Sequence, residues 1–397
     1  MNTIIKNASV ISDNKILNNA YVVIENGIIT ELSNENAEIP EKYKSCEIID
    51  IAGNYLSPGF IDAHCHGGGG YDFMDGSAND IVEAARAQML HGTTTIAPTS
   101  LSSFDEELYA FIDNYKQALS IKDQMPNLMG MHLEGPYFSA EFAGAQPPEH
   151  IKMPDINFVR EVYDRSEGNI LRWSIAPELP GSLDIADYLN SKGVFLSMAH
   201  TSANYSQISE AIKHGYRHLT HFYCCMSTIH RENGYRILGA IESGYLFDEI
   251  NIEIIADGCH LPAELLKLII KTKPFDKISL VTDAMRGAGM PEGCHSTLGS
   301  LKNGVDVILD GGVAKMPDMS CFAGSTATTD RMLRVMVNEV GLRLPDAVKL
   351  LSENPAKLYG IFDKTGSIAP GKQADFVVLD KRLVVKQVFV RGNAQIH

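Results

Sequence analysis

The sequence predicts an α/β protein in which a (β/α)8 TIM-like barrel carries a small β domain built from both chain termini. Two observations predict this fold. Between residues 57 and 359, eight short apolar runs alternate with amphipathic stretches, the pattern of βα units around a parallel sheet. Strand-like segments lie before and after this region. We therefore expect a barrel over 57–359 and a small domain formed by 1–56 and 360–397.

The terminal segments contain the predicted strands of the small domain. At the N-terminal end these are 3–11, 20–24 and 28–32, with an Asn26-Gly27 turn between the last two, a pair typical of tight hairpins. At the C-terminal end they are 374–379 and 384–390. Because strands need partners and domain termini often lie close together, the two sets are expected to form one sheet domain.

The middle of the chain supplies the predicted barrel strands, which are 60–63, 93–97, 128–133, 171–176, 194–199, 217–220, 252–256 and 278–282. A helix over 80–90 is followed by Gly92, which suits a left-handed helix cap. Two further helices, 325–340 and 344–359, are predicted after the eighth strand. Residues 138–154 contain Gly144 and three prolines, which predicts an active-site loop.

Composition restricts the partners and the compartment. The 397 residues carry a formal net charge of −15, which argues against nucleic acid or an anionic membrane as the main partner. No stretch of eighteen apolar residues occurs, and the first residues lack a basic region followed by an apolar one, so we expect neither a membrane span nor a secretion signal. Seven cysteines, with Cys224 and Cys225 adjacent, do not indicate a disulfide framework. We expect a cytoplasmic protein with no membrane partner.

A metal centre is predicted from polar residues that follow the apolar runs. His64 and His66 lie one residue apart at the end of the first run, and alternate side chains of an extended strand point to the same side. Further runs are followed by Glu134, His200, His221 and Asp283. The C-terminal strand ends of a barrel form one rim, where imidazoles and a carboxylate suit zinc or iron. The competing interpretations are loop or core histidines and, for Asp283, a helix N-cap.

The cysteines offer an alternative site. Cys65, Cys224, Cys225 and Cys259 lie near predicted strand ends and could form a thiolate zinc or redox site. They lack the Cys-x-x-Cys pairs of structural zinc sites, so packing of small side chains is the favoured interpretation.

Several motifs carry a resemblance to a known family. PGFIDAHCH at 58–66, VTDA at 281–284 and GSIAPGKQAD at 366–375 resemble the amidohydrolase superfamily. HLEGP at 132–136, AGAQP at 143–147, ADGCH at 256–260 and AGS at 323–325 resemble its N-acetylglucosamine-6-phosphate deacetylase family. The similarity runs over nearly the whole chain and implies a (β/α)8 barrel beside a small β-sandwich domain.

The resemblance also implies an activity. A member of this family is expected to hydrolyse the N-acetyl group of an amino-sugar phosphate, most simply N-acetylglucosamine 6-phosphate to glucosamine 6-phosphate and acetate. The alternatives are N-acetylgalactosamine 6-phosphate or another N-acyl amino compound as substrate, or a scaffold without activity. The resemblance further implies a homo-oligomer, a dimer or larger.

By the same resemblance, each motif residue has an expected role. Glu134, His200 and His221 are expected to hold a catalytic divalent ion, with His64 and His66 holding a second one. Asp283 belongs to the same metal centre and would be the general base, and His260 would contact the substrate. The expected substrate-binding residues are Arg231, His260, Gln146, Cys224, Cys225, Ala323, Gly324 and Ser325.

One segment departs from the family pattern. Residues 222–226 are FYCCM where relatives have Asn-Ala, so Cys224 and Cys225 lie where substrate contacts are expected. Arg231 arrives one residue early and lacks the proline that follows in the family motif. A guanidinium still suits phosphate because its donors form a fork. His230 and Arg236 are possible helpers, with solvated surface charge as the alternative.

Overall fold

The computed structural model describes residues 2–43, 45–121 and 125–395. Its strands, in chain order, are β1 (Asn2–Ser12), β2 (Lys15–Glu25), β3 (Ile28–Leu32), β4 (Glu47–Asp50), β5 (Tyr55–Pro58), β6 (Phe60–Cys65), β7 (Gly67–Gly68), β8 (Tyr71–Asp72), β9 (Thr93–Pro98), β10 (Asn127–Leu128), β11 (Met131–Glu134), β12 (Ile170–Ile175), β13 (Phe195–Met198), β14 (Tyr216–Leu219), β15 (His230–Glu232), β16 (Tyr235–Ile237), β17 (Asn251–Ile254), β18 (Ile278–Leu280), β19 (His295–Leu298), β20 (Val305–Asp310), β21 (Val313–Lys315), β22 (Phe322–Ser325), β23 (Phe376–Leu379), β24 (Val385–Val390) and β25 (Asn393–Gln395).

The α-helices are α1 (Ala78–Met89), α2 (Asp105–Ala118), α3 (Ile156–Ser166), α4 (Ser182–Ser191), α5 (Tyr205–Lys213), α6 (Ala240–Leu246), α7 (Ala263–Thr272), α8 (Thr329–Val335), α9 (Leu344–Leu351) and α10 (Glu353–Leu358). α1 shows how sequence sets such an element: the Ser77 side chain accepts a hydrogen bond from the Asp80 amide at its start. The C-cap of this helix is Leu90 in a right-handed conformation, and the positive φ predicted for Gly92 occurs two residues later, at 103°. Within the described ranges, every helix is too short or too polar to cross a lipid bilayer.

Both ends of the chain contribute to one sheet. Its strand order is β25-β24-β23-β5-β1-β2-β3, and β4 pairs with β1. Alternate residues of these strands, including Val10, Val22 and Phe376, bury one face of the sheet in a common apolar cluster. β5 runs antiparallel to β23, so the predicted domain boundary between residues 56 and 57 falls within a strand of this sheet.

The middle of the chain is an α/β layer of parallel strands covered by helices. One set pairs in the order β10-β9-β6 and the other in the order β11-β12-β13-β14-β17-β18. Parallel bridges from Thr99 to His132 and from Cys65 to Ala284 connect the two sets at both sides. Strands correspond to all eight predicted runs, the third being split into β10 and β11. The runs are continuous because the strands are buried on both faces.

An antiparallel sheet, β19-β20-β21-β22, lies between β18 and α8, and the sequence analysis did not predict it. The predicted helix over 325–340 accordingly begins later, at Thr329, and its last turn, Met336–Val340, is a π-helix. The strands of this sheet are short and partly exposed, as in β20. Their apolar residues therefore do not form the continuous runs that identified the barrel strands.

Candidate active site and metal centre

Six predicted site residues converge at the C-terminal ends of the parallel strands. They are His64, His66, Glu134, His200, His221 and Asp283, all of them buried. Glu134 ends β11, and the others lie within or just after the ends of β6, β13, β14 and β18. Successive strand ends meet at one rim because the strands run parallel.

Glu134 lies at the centre of this group. Its Oε1 is 3.0 Å from His221 Nε2 and 3.5 Å from His200 Nε2. Its Oε2 is 3.3 Å from His66 Nε2, and Oε1 is also 3.5 Å from His64 Nε2. Ligands about 2.1 Å from a tetrahedral ion lie roughly 3.4 Å apart. Two groups therefore have the spacing of a metal site, Glu134 with His200 and His221, and Glu134 with His64 and His66.

The chemistry of these residues fits a divalent cation. His64 Nε2 is buried and has no hydrogen-bond partner among the described residues, although it points toward the carboxylates of Glu134 and Asp283. Burial lowers the pKa of His64, but the Asp283, Glu134 and Glu253 carboxylates outweigh that effect and raise it to about 9. Similarly, Asp283 and Glu134 raise the pKa of His66 to about 10 against the effect of burial. The cluster therefore favours positive charge, which a metal ion would supply.

Backbone strain is concentrated at the same residues. His200, His221 and Asp283 have φ values of 44°, 30° and 48°, in a region that costs a non-glycine residue about 1–3 kcal/mol. Such outliers persist where surrounding structure holds a side chain in a functional position. Among the described residues, the next helix after Asp283 is α8, whose N-cap is Thr328. The helix-cap alternative for Asp283 is therefore excluded.

The predicted loop over 138–154 reaches the centre from one side. The Nδ1–H of His200 donates to the Phe142 carbonyl at 2.9 Å, which directs Nε2 toward Glu134. Gln146 Nε2 donates to Glu134 Oε2 at 2.9 Å, and the Gln146 oxygen accepts from the Ser102 amide. The loop thus fixes one histidine ring and one carboxylate oxygen.

Five of the six residues, all except the fully buried His64, line a cavity of about 220 Å³. Several predicted substrate-binding residues, Gln146, Cys224, Cys225, His260 and Gly324, line it together with Leu101, Leu298, Cys321 and Phe322. His260 is oriented by a 2.7 Å contact between its Nδ1 and Asp257 Oδ2. A polar base below a largely apolar wall suits a small ligand with one reactive polar group.

The remaining predicted substrate residues lie outside the lining of this cavity. Ala323 and Ser325 are buried in β22, where the Ser325 hydroxyl donates to the Thr282 carbonyl at 2.6 Å. Arg231, with His230 and Arg236, is exposed on the β15–β16 hairpin.

The thiolate alternative receives no support from the geometry. All seven cysteines are free, and the candidate metal groups of the described residues contain only histidine and glutamate. Cys65 Sγ instead contacts the Gly67 carbonyl at 3.3 Å, and Cys259 Sγ contacts the Gly311 carbonyl at 3.5 Å.

Sequence reasoning missed a charged layer beneath the centre. Arg172 and Glu253 are fully buried on β12 and β17 and form an ion pair. Glu253 Oε1 lies 2.7 Å from His64 Nδ1. The available signal was a charged residue inside each of two apolar runs, ILRWSI and NIEI, since unpaired charges are almost never fully buried.

Comparison with known proteins identifies similar sequences over nearly the whole chain. The sequence model of the amidohydrolase family matches residues 55–394. The N-acetylglucosamine-6-phosphate deacetylase of Bacillus subtilis (strain 168) is 32% identical over 393 residues, covering 98% of this chain and 96% of that protein. The N-acetylgalactosamine-6-phosphate deacetylase of Escherichia coli O157:H7 is 31% identical over 338 residues, covering 85% and 86%.

Solved structures show the same similarity. The N-acetylglucosamine-6-phosphate deacetylase of Pasteurella multocida matches with a TM-score of 0.90 and 26% identity over 100% of both chains. A mutant of the Mycobacterium smegmatis enzyme in complex with N-acetyl-D-glucosamine-6-phosphate matches with a TM-score of 0.89 and 28% identity, also over 100% of both chains.

Proposed function

This chain belongs to the amidohydrolase family and, within it, to the N-acetylglucosamine-6-phosphate deacetylases, and on that premise we propose that it hydrolyses the N-acetyl group of N-acetylglucosamine 6-phosphate. The products are glucosamine 6-phosphate and acetate. The observation that carries the proposal is the convergence of Glu134, four histidines and Asp283 in one cluster, of which all but His64 line the same cavity. Intact candidate ligands also argue against a scaffold without activity.

The proposed metal ligands follow from the two groups around Glu134. Glu134, His200 and His221 would hold the catalytic ion, and His64 and His66 would hold a second ion. A bound divalent ion, zinc or iron by ligand type, supplies a water of lowered pKa and a Lewis acid for the amide carbonyl. A carboxylate between two cations offsets their mutual repulsion.

Asp283 is the proposed proton carrier. Its Oδ1 lies 3.4 Å from His64 Nε2 and 3.2 Å from His66 Nε2, at the base of the cavity. Burial raises the pKa of Asp283, but His64 and His66 outweigh burial and hold it below its usual value. The group is therefore a carboxylate at neutral pH, able to accept a proton and to return it to the departing amine.

The substrate contacts are proposed from the cavity lining and the exposed hairpin. His260, oriented by Asp257, donates to the acetamide, and Gln146 and the Ala323-Gly324-Ser325 segment form the adjacent wall with Cys224 and Cys225. Arg231 binds the phosphate from the β15–β16 hairpin. The second candidate substrate is N-acetylgalactosamine 6-phosphate, because a relative 31% identical to this chain bears that name.

We further propose how the chain is divided into domains and how it assembles. Residues 57–359 form a closed (β/α)8 barrel, supported by the Thr99–His132 and Cys65–Ala284 bridges at both junctions of the two strand sets. Residues 1–56 and 360–397 form the small β-sandwich domain, supported by the pairing of β5 with β23; Met1, Lys44, Ile396 and His397 lie outside the described residues. We also propose a cytoplasmic homo-oligomer, a dimer or larger.

Acetate release from a substrate panel, combined with metal analysis, tests the proposed function. The panel contains N-acetylglucosamine 6-phosphate, its galactosamine isomer and both unphosphorylated sugars. We expect the highest kcat/KM on the first substrate and loss of both metal and activity in Glu134→Ala. Failure to release acetate from both phosphates by metal-loaded protein would contradict the proposal.

Arg231→Gln separates phosphate recognition from chemistry. Removing the guanidinium should raise KM for the phosphorylated sugar about tenfold, because a charge-assisted hydrogen bond is lost. The unphosphorylated sugar is the internal control, and its kcat/KM should stay unchanged. Equal losses on both substrates would assign Arg231 a role other than phosphate binding.

A further inference from the structure

We propose that Glu253, paired with Arg172, is a positioning residue that holds the proton of His64 on Nδ1 and thereby keeps the second metal position usable. The inference rests on the metal centre of the proposed function and adds a residue pair outside its motifs. Both side chains are fully buried on strands beneath the centre, so they act on it only through their contacts.

The two ring nitrogens of His64 face different groups. Nε2 faces the metal centre, 3.5 Å from Glu134 Oε1 and 3.4 Å from Asp283 Oδ1. Nδ1 lies 2.7 Å from Glu253 Oε1. An ionised carboxylate only accepts hydrogen bonds, so this contact requires the proton on Nδ1. A metal ion then has to displace only the Nε2 proton to bind the Nε2 lone pair, while Nδ1–H stays on Glu253, as in carboxylate–histidine–metal triads.

Arg172 keeps the Glu253 carboxylate ionised, and it also competes with Glu253 for a hydrogen bond to His64 Nδ1. Its Nη1 pairs with Glu253 Oε2, and its Nη2 donates to Glu253 Oε1 at 3.0 Å. The same Nη2 lies only 3.3 Å from His64 Nδ1. Guanidinium can only donate, so without the carboxylate it would donate to Nδ1 and move the His64 proton to Nε2.

Glu253 also reaches the other half of the centre. The backbone amide of His221 donates to Glu253 Oε1 at 3.2 Å, which supports the strained turn that presents the His221 ring. One carboxylate oxygen is therefore shared between a ligand of the second ion and the backbone of a ligand of the first. The direct effect on a ring nitrogen, however, concerns His64 alone.

Glu253→Gln tests the inference, because glutamine has almost the same shape as glutamate but carries no charge. Because Arg172 needs an acceptor, the amide oxygen of Gln turns toward Arg172 and its NH2 group toward His64. That NH2 donates to Nδ1, so Nε2 becomes protonated and loses its lone pair. Zinc titration with metal counting should show the first ion retained and the second bound about 10- to 100-fold more weakly.

Two further variants distinguish an effect on the His64 proton from a general disturbance of the buried side chains. Arg172→Met/Glu253→Gln removes the competing donor and leaves no unpaired buried charge, so the amide oxygen can accept from Nδ1–H and binding of the second zinc should recover. Tyr359→Phe is the matched control, because it removes the 3.0 Å hydrogen bond from Arg172 to Tyr359 at the opposite end of the network. It should leave both zinc affinities unchanged.

The outcomes separate this inference from the proposed function. Parent protein that binds no zinc would overturn both, and parent protein that binds only one ion would overturn the inference alone. Wild-type affinity for the second zinc in Glu253→Gln would also overturn it, as would an equal loss in Tyr359→Phe. If Arg172→Met/Glu253→Gln binds the second zinc as weakly as Glu253→Gln, Arg172 does not compete for His64 Nδ1.

Discussion

The proposed metal centre has an outer half, with His200 and His221, and an inner half, with His64 and His66, and the two are held in different ways. The His200 ring is oriented by the backbone carbonyl of Phe142 in a loop, whereas the His64 ring is oriented by the Glu253 side chain within the strand layer. A backbone carbonyl is present whatever residue stands there and only accepts hydrogen bonds. A carboxylate depends on its own ionisation and on Arg172. The outer half therefore depends on loop geometry, and the inner half depends on buried charge.

Removing one ligand from each half should give the largest contrast. His200→Ala should lose the catalytic ion and reduce kcat by about 10³-fold or more, since the ion stabilises the transition state by several kcal/mol. His64→Ala should lose only the second ion and retain measurable turnover. Metal counting and acetate release measure both effects. Equal losses in the two variants would mean that the halves do not act separately.

Asp283→Asn should have the next largest effect on kcat, and it should leave the binding of both ions unchanged. An amide cannot accept the proton, so kcat should fall about 10²- to 10³-fold, within the range of general acid–base catalysis. Zinc content should remain that of the parent protein. Unchanged turnover would show that another group carries the proton.

Gly144→Ala tests the loop that supports the outer half. Gly144 has a φ of 61°, and an added Cβ would lie 2.5 Å from Cys225 Sγ. The loop should shift, with kcat/KM falling about tenfold for a cost near 1.4 kcal/mol. Gly193→Ala is the matched control, because its φ is 79° with open space around the added carbon. It should lower stability by about 1 kcal/mol without changing kcat/KM.

Two buried carboxylates, Glu253 and Asp375, have pKa values that are shifted in opposite directions. Arg172 and His64 hold the pKa of Glu253 well below its usual value against the effect of burial. At Asp375, which accepts hydrogen bonds from the Arg391 amide and the Asn127 side chain, burial dominates and raises the pKa to about 6.

The pH dependence of stability follows from this raised pKa. A raised carboxyl pKa contributes stability that is complete below the unfolded value of 3.8 and is lost as the pH rises through about 6. The free energy of unfolding of wild type relative to Asp375→Asn should therefore fall by up to about 3 kcal/mol between pH 4 and pH 7. Urea unfolding at both pH values measures the difference, and a rise with pH would contradict the assignment.

The parts of the site that could be predicted share one local property. His64, Glu134, His200, His221 and Asp283 each stand at or just after the end of an apolar run, so their placement follows from strand position alone. The cavity wall was harder to predict, because Leu298 and Phe322 lie in a sheet of short, partly exposed strands and Cys321 lies just before one of them. Arg231 had the expected residue type, but the structure places it on an exposed hairpin, outside the lining of the cavity.

The sequence by itself determined the positions of the parallel strands along the chain, the candidate metal-ligand residue types and their location at strand ends, because these depend on neighbours within a few residues. Only the tertiary structure decided which charged residues meet beneath them. His64 and Glu253 are 189 positions apart, and Arg172 and Glu253 are 81 apart. Strand periodicity determines the face to which a side chain points. Its partner is decided by how the strands are arranged in the layer, which brings residues of β6, β12 and β17 into contact.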